Sequence, residues 1–237
     1  MDNIDYKIRV SKRAQHARIV VRPDLSVEVV LPEGVSRQRA VALLQEKKAW
    51  VERSLKRFSE HAKPQNIQLS SNFPEQIHFE SIGLKIALSY RQTDSERVRI
   101  TQLDSGLQLS GNTGDATRVK ASLQRWLKQQ AKKYLSQVLA ELAEQHGFSY
   151  RKVVIRLQKS RWGSCSKSGD ISLNAKLLFL PQELMRYVLL HELAHLKQMN
   201  HSEKFWSVVA ECDADYLLHR KEMRRTFCWI PVWAELD

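Results

Sequence analysis

The sequence predicts an α+β fold, because three patterns with different periods follow one another along it. Short runs in which apolar and polar residues alternate, typical of strands, occupy much of residues 6–31 and 77–109. A long helical period then extends from residue 116 to residue 145. A more apolar helical segment begins near Pro181, since proline is favoured in the first turn of a helix. A strand-rich part followed by a helix-rich part indicates the α+β class.

The first region, residues 1–111, is predicted to hold short strands and one helix. Its first strands are predicted to form a meander, over residues 6–10, 19–21 and 27–31. Pro23-Asp24 is the predicted turn before the third of them. Ser36 is a favourable N-cap for an amphipathic helix that continues to about His61. Further strands follow, and the last two are predicted to form a hairpin around Asp104-Ser105-Gly106.

The second region, residues 115–237, begins after a loop at Gly111–Asp115, which is the predicted domain boundary. A long helix is predicted from about Ala116 to Gln145, with Gly147 as its C-cap. Two short strands follow, over residues 153–157 and 171–174, and then three helices, over residues 181–200, 205–212 and 216–223.

Composition limits the class of protein. The 237 residues are 43% hydrophobic, which suits a protein that buries a core of its own, and no run approaches the ~20 apolar residues of a membrane span. The N-terminus lacks the basic and apolar segments of a signal peptide. Three scattered cysteines, with no CxxC pair, are typical of reduced thiols, so a cytoplasmic protein is predicted.

The net charge of +12 is compatible with a polyanionic partner, such as nucleic acid or a nucleotide. The basic residues are spread along the whole chain and form no single block. A generally basic, solvated surface therefore explains them equally well, and the alternative stays open.

The most informative stretch is His191-Glu192-Leu193-Ala194-His195, an HExxH motif inside the last apolar helical segment. Residues four apart on a helix project from the same face, so the imidazoles of His191 and His195 can reach one ion. Glu192 lies beside the first of them and can reach a water on that ion without binding the ion itself.

A zinc site of this kind needs a third protein ligand and keeps a position open for water. His201 is the candidate, because Asn200 before it can adopt a left-handed conformation, end the helix and turn the chain back. Chance HExxH matches occur, and a helical histidine is more often a core or surface residue. Here two imidazoles and a carboxylate in an apolar helix would be costly to bury without a partner, which favours a metal site.

Several motifs together give the sequence a family resemblance. The segments Arg161-Trp162-Gly163-Ser164-Cys165-Ser166, Gly169-Asp170-Ile171-Ser172-Leu173-Asn174, His191–Leu196, Asn200-His201-Ser202 and Phe205-Trp206 resemble those of the YgjP-like metallopeptidase family, which is related to the WLM and SprT-like zinc peptidases. The early strands and both long helices also resemble the longer members, so the likeness spans nearly the whole chain.

This resemblance implies a small zincin-like catalytic core. It assigns His191, His195 and His201 to Zn²⁺ and Glu192 to catalysis. In zincins the strand before the active-site helix is a sheet edge that pairs with an extended substrate. The residues in that position here are those of the second short strand, Ile171, Ser172, Leu173 and Asn174. The position of a conserved metzincin glycine is occupied by Gln198, and no later Met-turn pattern is present, so the metzincin class is not assigned.

The chemistry implied is hydrolysis of a peptide bond. Zinc bound by neutral imidazoles lowers the pKa of its water to about 7. Glu192 accepts the proton and returns it to the leaving amine. A cationic or phenolic side chain usually helps to stabilise the oxyanion, and the candidates are Tyr216, His219, Arg220 and Arg161. His219, Asp213 or Glu211 are alternatives for orienting the metal ligands.

The segment around Trp162 has two interpretations. Gly163 either allows a close backbone approach at the cleft, or forms a turn or bulge beside a core tryptophan, and the structural interpretation is favoured. Cys165 as a fourth zinc ligand is a less favoured idea. Two other functions also remain open: a metal-dependent nucleotide or phosphoanhydride hydrolase, and a DNA-associated protease-like module.

Overall fold

The chain divides into two units in the computed structural model, which describes residues 5–21, 25–61 and 73–235, without the side chains of 57–60, 61, 225, 227 and 228. Unit 1 is Met1–Ile67 with Phe227–Val232, and unit 2 is Gln68–Thr226 with Trp233–Asp237. The boundary that the sequence predicts between residues 111 and 115 lies inside unit 2. A domain boundary at that loop remains a prediction.

Unit 1 contains a three-stranded sheet of β1 (Lys7–Ser11), β2 (Arg18–Val21) and β3 (Val27–Pro32). Its order is β1-β3-β2, with β3 parallel to β1 and antiparallel to β2. The predicted meander is therefore wrong, since β2 would be its central strand. The strand in the centre is the most apolar and most deeply buried of the three, which favours pairing on both of its edges. The predicted turn at Pro23-Asp24 lies outside the described residues.

The helical part of unit 1 consists of α1 (Gln38–Glu46) and α2 (Lys48–His61). The N-cap of α1 is Arg37 and not the predicted Ser36, although the Ser36 hydroxyl accepts a hydrogen bond from the Gln38 amide. The single helix expected up to His61 is wrong at Lys47, where the backbone leaves helical geometry at φ −105° and ψ 13°. The core of unit 1 is formed by apolar residues of these helices and of β3: Val27, Val29, Leu31, Ala40, Leu43, Leu44 and Val51.

Unit 2 begins with a four-stranded sheet of order β4-β5-β7-β6. Its strands are β4 (Gln76–Phe79), β5 (Leu84–Gln92), β6 (Arg99–Leu103) and β7 (Gly106–Gly111). A 3-10 turn, Glu80–Ile82, and Gly83 in the left-handed region at φ 62° connect β4 to β5. The predicted hairpin between β6 and β7 is confirmed.

The long helix α3 (Ala116–Gln145) follows with the predicted bounds. Its N-terminus is capped by the Asp115 carboxylate, which accepts from the amides of Thr117 and Arg118. One stripe of the helix is fully buried, and its largest apolar members are Leu123, Leu127, Leu135, Leu139 and Leu142. This stripe forms one side of the core against which the helix with the HExxH motif packs.

The second sheet of unit 2 has the order β8-β10-β9. Its strands are β8 (Lys152–Arg156), β9 (Gly163–Cys165) and β10 (Asp170–Asn174). β10 pairs in parallel with β8 and in antiparallel with β9. The expectation that residues 171–174 form a sheet edge is therefore wrong, because neighbouring strands occupy both edges of β10. The edge strands are β8 and β9, and the sequence patterns did not reveal β9.

The remaining elements of the chain are all helical. They are a 3-10 helix (Ala175–Phe179), α4 (Gln182–Ala194), α5 (Glu203–Cys212), α6 (Tyr216–Glu222) and two further 3-10 helices (Met223–Trp229 and Val232–Ala234). α4 contacts α3, α5, α6, β9 and β10. Within the described residues, no helix has both the length and the apolar character needed to cross a bilayer. The observed class, a mixed α+β protein with small mixed sheets, agrees with the prediction.

Polar contacts attach the C-terminal residues of unit 2 to α3 and to the 3-10 helix Ala175–Phe179. The Lys176 ammonium, whose side chain is only 2% exposed, lies 2.6 Å from a carboxylate oxygen of Glu235. The Gln124 side-chain amide donates to the backbone carbonyls of Trp233 and Glu235. A buried ammonium needs such a partner, because an uncompensated charge in the interior is costly.

We expect Glu235→Ala to lower the free energy of unfolding by about 2 kcal/mol, below the roughly 3–5 kcal/mol of a fully buried pair because Glu235 is partly exposed. The measurement is urea-induced unfolding followed by circular dichroism. The matched control is the double variant Lys176→Met/Glu235→Ala, which removes both charges and should recover most of the loss. Equal stability of wild type and Glu235→Ala would contradict this account.

Candidate metal centre

α4 places two of the predicted ligands on one face. It buries apolar residues over most of its surface, and this packing keeps the helix regular up to Ala194. The rings of His191 and His195 lie one turn apart with centroids 5.0 Å from each other and planes nearly perpendicular. The predicted arrangement of the HExxH histidines is confirmed.

The third histidine is brought back by a turn that begins earlier than predicted. The amides of Leu196 and Lys197 donate to the carbonyls three residues before them, which ends α4 in a tight 3-10-type turn. The expected left-handed Asn200 is wrong, since Leu25 is the only non-glycine residue of the described chain with positive φ. After this turn, His201 Nε2 lies 3.1 Å from His191 Nε2.

Three imidazole nitrogens, from His191, His195 and His201, lie within 4.8 Å of one another. Zinc–nitrogen bonds of about 2.0–2.1 Å in tetrahedral geometry separate two ligand nitrogens by roughly 3.3 Å. The 3.1 Å between the Nε2 atoms of His191 and His201 is close to that value. The donor set is therefore suited to a single divalent ion such as zinc.

Phe205, at the start of α5, provides the floor of this cluster. Its fully buried ring lies 4.9, 4.5 and 4.8 Å from the rings of His191, His195 and His201. The neighbouring Trp206 stacks on His201, with centroids 5.6 Å apart and an interplanar angle of 21°. The apolar floor limits the rotation of all three imidazoles and removes water from their inner side.

Burial favours the neutral form of His191 and His195, which is the form that binds metals. The pKa of His191 is lowered to about 3, mainly by burial and further by His195, His201 and the charge of Arg220. Burial also lowers the pKa of His195. His195 Nδ1 lies 3.2 Å from the carbonyl oxygen of Gln198, so Nδ1 carries the proton and donates it. This leaves Nε2 of His195 free to bind an ion.

The Glu192 carboxyl group is enclosed beside these ligands. The residue is 5% exposed, and its Oε2 has no hydrogen-bond partner among the described residues. Burial raises the pKa of this carboxyl to about 8. A cation held by the neighbouring histidines would favour the ionised form, in which the carboxylate can accept a proton. A buried carboxyl oxygen without a protein partner therefore fits a site in which a metal ion is bound next to it.

β9 passes directly beside Glu192. A Cβ atom added to Gly163 would lie 2.5 Å from Glu192 Oε1 and 2.6 Å from its Cγ. The favoured interpretation of Gly163 as a turn or bulge is wrong, because Gly163 lies in the paired strand β9 and makes the alternative close approach, to Glu192. In the sequence, only the glycine next to Trp162 indicated a close approach, because the segment around it shows no strand periodicity.

The edge of β9 that faces away from β10 carries free backbone groups. Trp162 O accepts from Asn174 N, and Ser166 N donates to Asp170 O. Because antiparallel partners alternate, the N–H and C=O groups of Gly163 and Cys165 point to the opposite edge. No strand of the described residues pairs with that edge.

The four residues of β10 predicted to bind substrate have other neighbours. Ile171 and Leu173 are fully buried, and Asn174 caps the following 3-10 helix and donates to the carbonyls of Gln158 and Arg161. Ser172 is partly buried, and its hydroxyl has no hydrogen-bond partner among the described residues. The edge position belongs to β9, and contacts between these four side chains and a substrate remain a prediction.

Three of the candidates for oxyanion stabilisation differ in the neighbours of their side chains. Tyr216 stacks on Trp206, and the Arg220 guanidinium lies 4.2 Å from the centre of the same ring. His219 Nδ1 is 2.7 Å from a carboxylate oxygen of Asp213, so these two residues pair with each other. Of these candidates, Arg220 is the cation whose charge acts on His191.

Cys165 lies near the site without joining the ligand group. Burial, together with the negative charges of Glu192 and Asp170, raises the pKa of its thiol to about 11. It is therefore a neutral thiol, whereas zinc binds the thiolate. The metal-ligand group found among the described residues consists of the three histidines and does not include this cysteine.

Comparisons with known proteins agree with this geometry at the level of the family. Residues 15–226 match the family model of the YgjP-like metallopeptidase domain. No curated protein matches the chain. Among solved structures, the metallopeptidase zymogen abylysin of Pyrococcus abyssi is 31% identical with a TM-score of 0.34, over 38% of this chain and 92% of that chain. The metallopeptidase zymogen jannalysin of Methanocaldococcus jannaschii is 24% identical with a TM-score of 0.32, over 37% and 95%.

We expect His201→Ala to reduce the zinc content from about one ion per protein to a small fraction, because the site then retains only two of its three protein ligands. The measurement is elemental analysis after dialysis against a weak chelator. The control is His16→Ala, which removes an exposed imidazole of unit 1 and should leave the zinc content unchanged. Full zinc content in a His191→Ala/His195→Ala variant would refute the ligand assignment.

Proposed function

This chain belongs to the YgjP-like metallopeptidase family, and on that premise we propose that it hydrolyses peptide bonds with Zn²⁺ held by His191, His195 and His201. Glu192 is the general base in this proposal. The observation that carries it is the convergence of three imidazoles beside a buried carboxyl group with an unpartnered oxygen. A metallopeptidase acts on peptide or protein substrates, and these are the proposed partners.

Each residue has a distinct part in the reaction. When bound, zinc supplies Lewis acidity, which lowers the pKa of a water molecule and polarises the substrate carbonyl. Glu192 takes the proton of the attacking water and later delivers it to the leaving amine. The enclosure of Glu192 between α4 and β9 keeps bulk water away, which strengthens electrostatic interactions at the site.

Arg220 is the proposed source of positive charge for the developing oxyanion. Its guanidinium rests on the Trp206 ring, and Trp206 in turn stacks on His201, so this side chain is anchored beside the histidine cluster. The effect of its charge on His191 supports its proximity to the site. His219 is engaged by Asp213, which makes it a less suitable candidate.

The free edge of β9 is the proposed binding surface for an extended substrate. A peptide that adds as a further strand would use the outward N–H and C=O groups of Gly163 and Cys165. This strand also contacts the metal-site helix α4. The packing of α4 on this small sheet supports a zincin-like core.

Three predictions from the sequence have no support from these findings. The cytoplasmic location stays a prediction. The nucleotide-hydrolase alternative rested on the predicted zinc site together with the basic surface, and the DNA-associated alternative rested on the likeness to the WLM and SprT-like proteins. The family assignment gives no argument for either of them. The nucleotide-hydrolase alternative is one outcome of the phosphate-release assay.

We expect Glu192→Gln to retain zinc and to lower kcat by roughly 10²–10⁴-fold, because an amide cannot accept the proton of the attacking water. The measurement is cleavage of a quenched-fluorescent peptide library, with zinc content determined on the same samples. Activity of the wild type should disappear after treatment with a chelator and return when zinc is added.

A panel of nucleoside triphosphates, assayed for released phosphate with the same two proteins, completes this test. Phosphate release that depends on Glu192, in a protein that cleaves no peptide of the library, would overturn the peptidase proposal in favour of the nucleotide-hydrolase alternative.

We expect Cys165→Pro to raise KM by about tenfold, since proline removes an outward N–H worth roughly 1–1.5 kcal/mol to a paired substrate strand. The pairing of β9 with β10 should persist, because that N–H does not point to β10. The matched control is Cys165→Ala, which loses the thiol but keeps the backbone donor. Equal KM values for the two variants would contradict substrate binding at this edge.

A further inference from the structure

Gly163 and Glu192 are in closer contact than any other residue at position 163 would allow. With a side chain there, the Cβ would lie 2.5 Å from Oε1, 2.6 Å from Cγ and 2.8 Å from Cδ of Glu192. Cβ atoms in proteins do not approach other heavy atoms this closely, because repulsion rises steeply below van der Waals contact. The absence of a side chain is therefore what allows the carboxyl group to occupy its place.

The backbone conformation does not explain this glycine. Gly163 lies in a regular antiparallel strand and does not adopt the positive φ that favours glycine. Gly106 and Gly111 are also crowded, but their added Cβ atoms would meet backbone atoms, those of Ala87 and Arg97, and both glycines have positive φ. Among the described glycines, Gly163 is the one whose added Cβ would meet the proposed general base.

The carboxyl group has little else to hold it in place. Glu192 is 5% exposed, and no described group makes a hydrogen bond with its Oε2. Among the described residues, no hydrogen bond or ion pair fixes the orientation of this carboxyl group, so its position relative to the histidines depends on packing. The surface against which it packs on the side of the sheet is the backbone of β9.

We infer that Gly163 is a positioning residue, whose bare Cα lets the backbone of β9 act as the wall that holds the Glu192 carboxylate at the metal site. This inference rests on the proposed role of Glu192 as general base and adds to it. A methyl group at position 163 would push the carboxylate away from β9 by nearly 1 Å, to reach ordinary contact at about 3.4 Å. Ligand binding by the three histidines does not depend on this wall.

The first experiment compares Gly163→Ala with Gly114→Ala in the full chain. Gly114 is the matched control, because an added Cβ there would meet nothing closer than 3.7 Å and its φ is not positive. Both variants lose the same backbone freedom of the unfolded chain. We expect Gly163→Ala to lower kcat by about 100-fold, the scale of a 1 Å misplacement of a catalytic group. KM for the best-cleaved library peptide and the zinc content should equal those of Gly114→Ala.

The second experiment needs no activity. If the contact with Glu192 is what position 163 forbids, shortening Glu192 must make room for the added methyl group. Overpacking destabilises the folded state, so we expect Gly163→Ala to lower Tm by roughly 5 °C in the wild-type background. The same substitution in a Glu192→Ala background should change Tm by no more than Gly114→Ala does.

The outcomes separate the inference from the proposed function. A kcat of Gly163→Ala within twofold of Gly114→Ala, in a protein that Glu192→Gln inactivates, would overturn the inference alone. Loss of zinc in Gly163→Ala, or an equal fall of Tm in both backgrounds, would also overturn it, because the substitution would then disturb more than the carboxylate. Full activity of Glu192→Gln would instead refute the proposed function itself.

Discussion

The burial of polar side chains on an otherwise apolar helix is the constraint on which the rest of unit 2 depends. α4 contacts other elements along most of its surface, and within this apolar setting it carries two imidazoles and a carboxyl group. Such groups are costly to bury unless they are paired. The lowered pKa of His191 and the raised pKa of Glu192 are two expressions of the same cost, since burial disfavours the charged form of each. A divalent ion bound by the histidines would satisfy both.

The surroundings of the helix limit the movement of these groups in different ways. On the side of α5, the ring of Phe205 lies against all three histidines, and Gln198 O receives the proton of His195 Nδ1. On the side of the sheet, the backbone of β9 lies against Glu192. The ligands are thus oriented by aromatic packing and one hydrogen bond, whereas the proposed base is placed by steric contact. Rigid elements on both sides are what a pre-organised hydrolytic site requires.

Prediction from the sequence succeeded where the information is local. The bounds of α3 follow from thirty residues of helical period, and the β6–β7 hairpin follows from Asp104-Ser105-Gly106. Prediction failed where the apolar pattern carries no signal for a helix break or for a short strand. The break at Lys47 interrupts an amphipathic period that the helices on both sides share, so nothing in the pattern marks it. β9 is only three residues long and contains no alternating apolar pattern, so it produced no strand signal.

The sequence alone indicated that three histidines could meet, because residues four apart on a helix face the same side and a nearby third histidine has a short path back to them. The structure brings His191, His195 and His201 together. The sequence also determined the α+β class, through the periods of its apolar residues. The order of the strands, and with it the free edge beside the site, was decided only by the tertiary structure. Periodicity shows which face of a strand is buried, but it carries no information on which strands lie to its left and right. The contact between Gly163 and Glu192 belongs to the same class: it joins residues 29 positions apart, and only the packing of α4 on β9 brings them together.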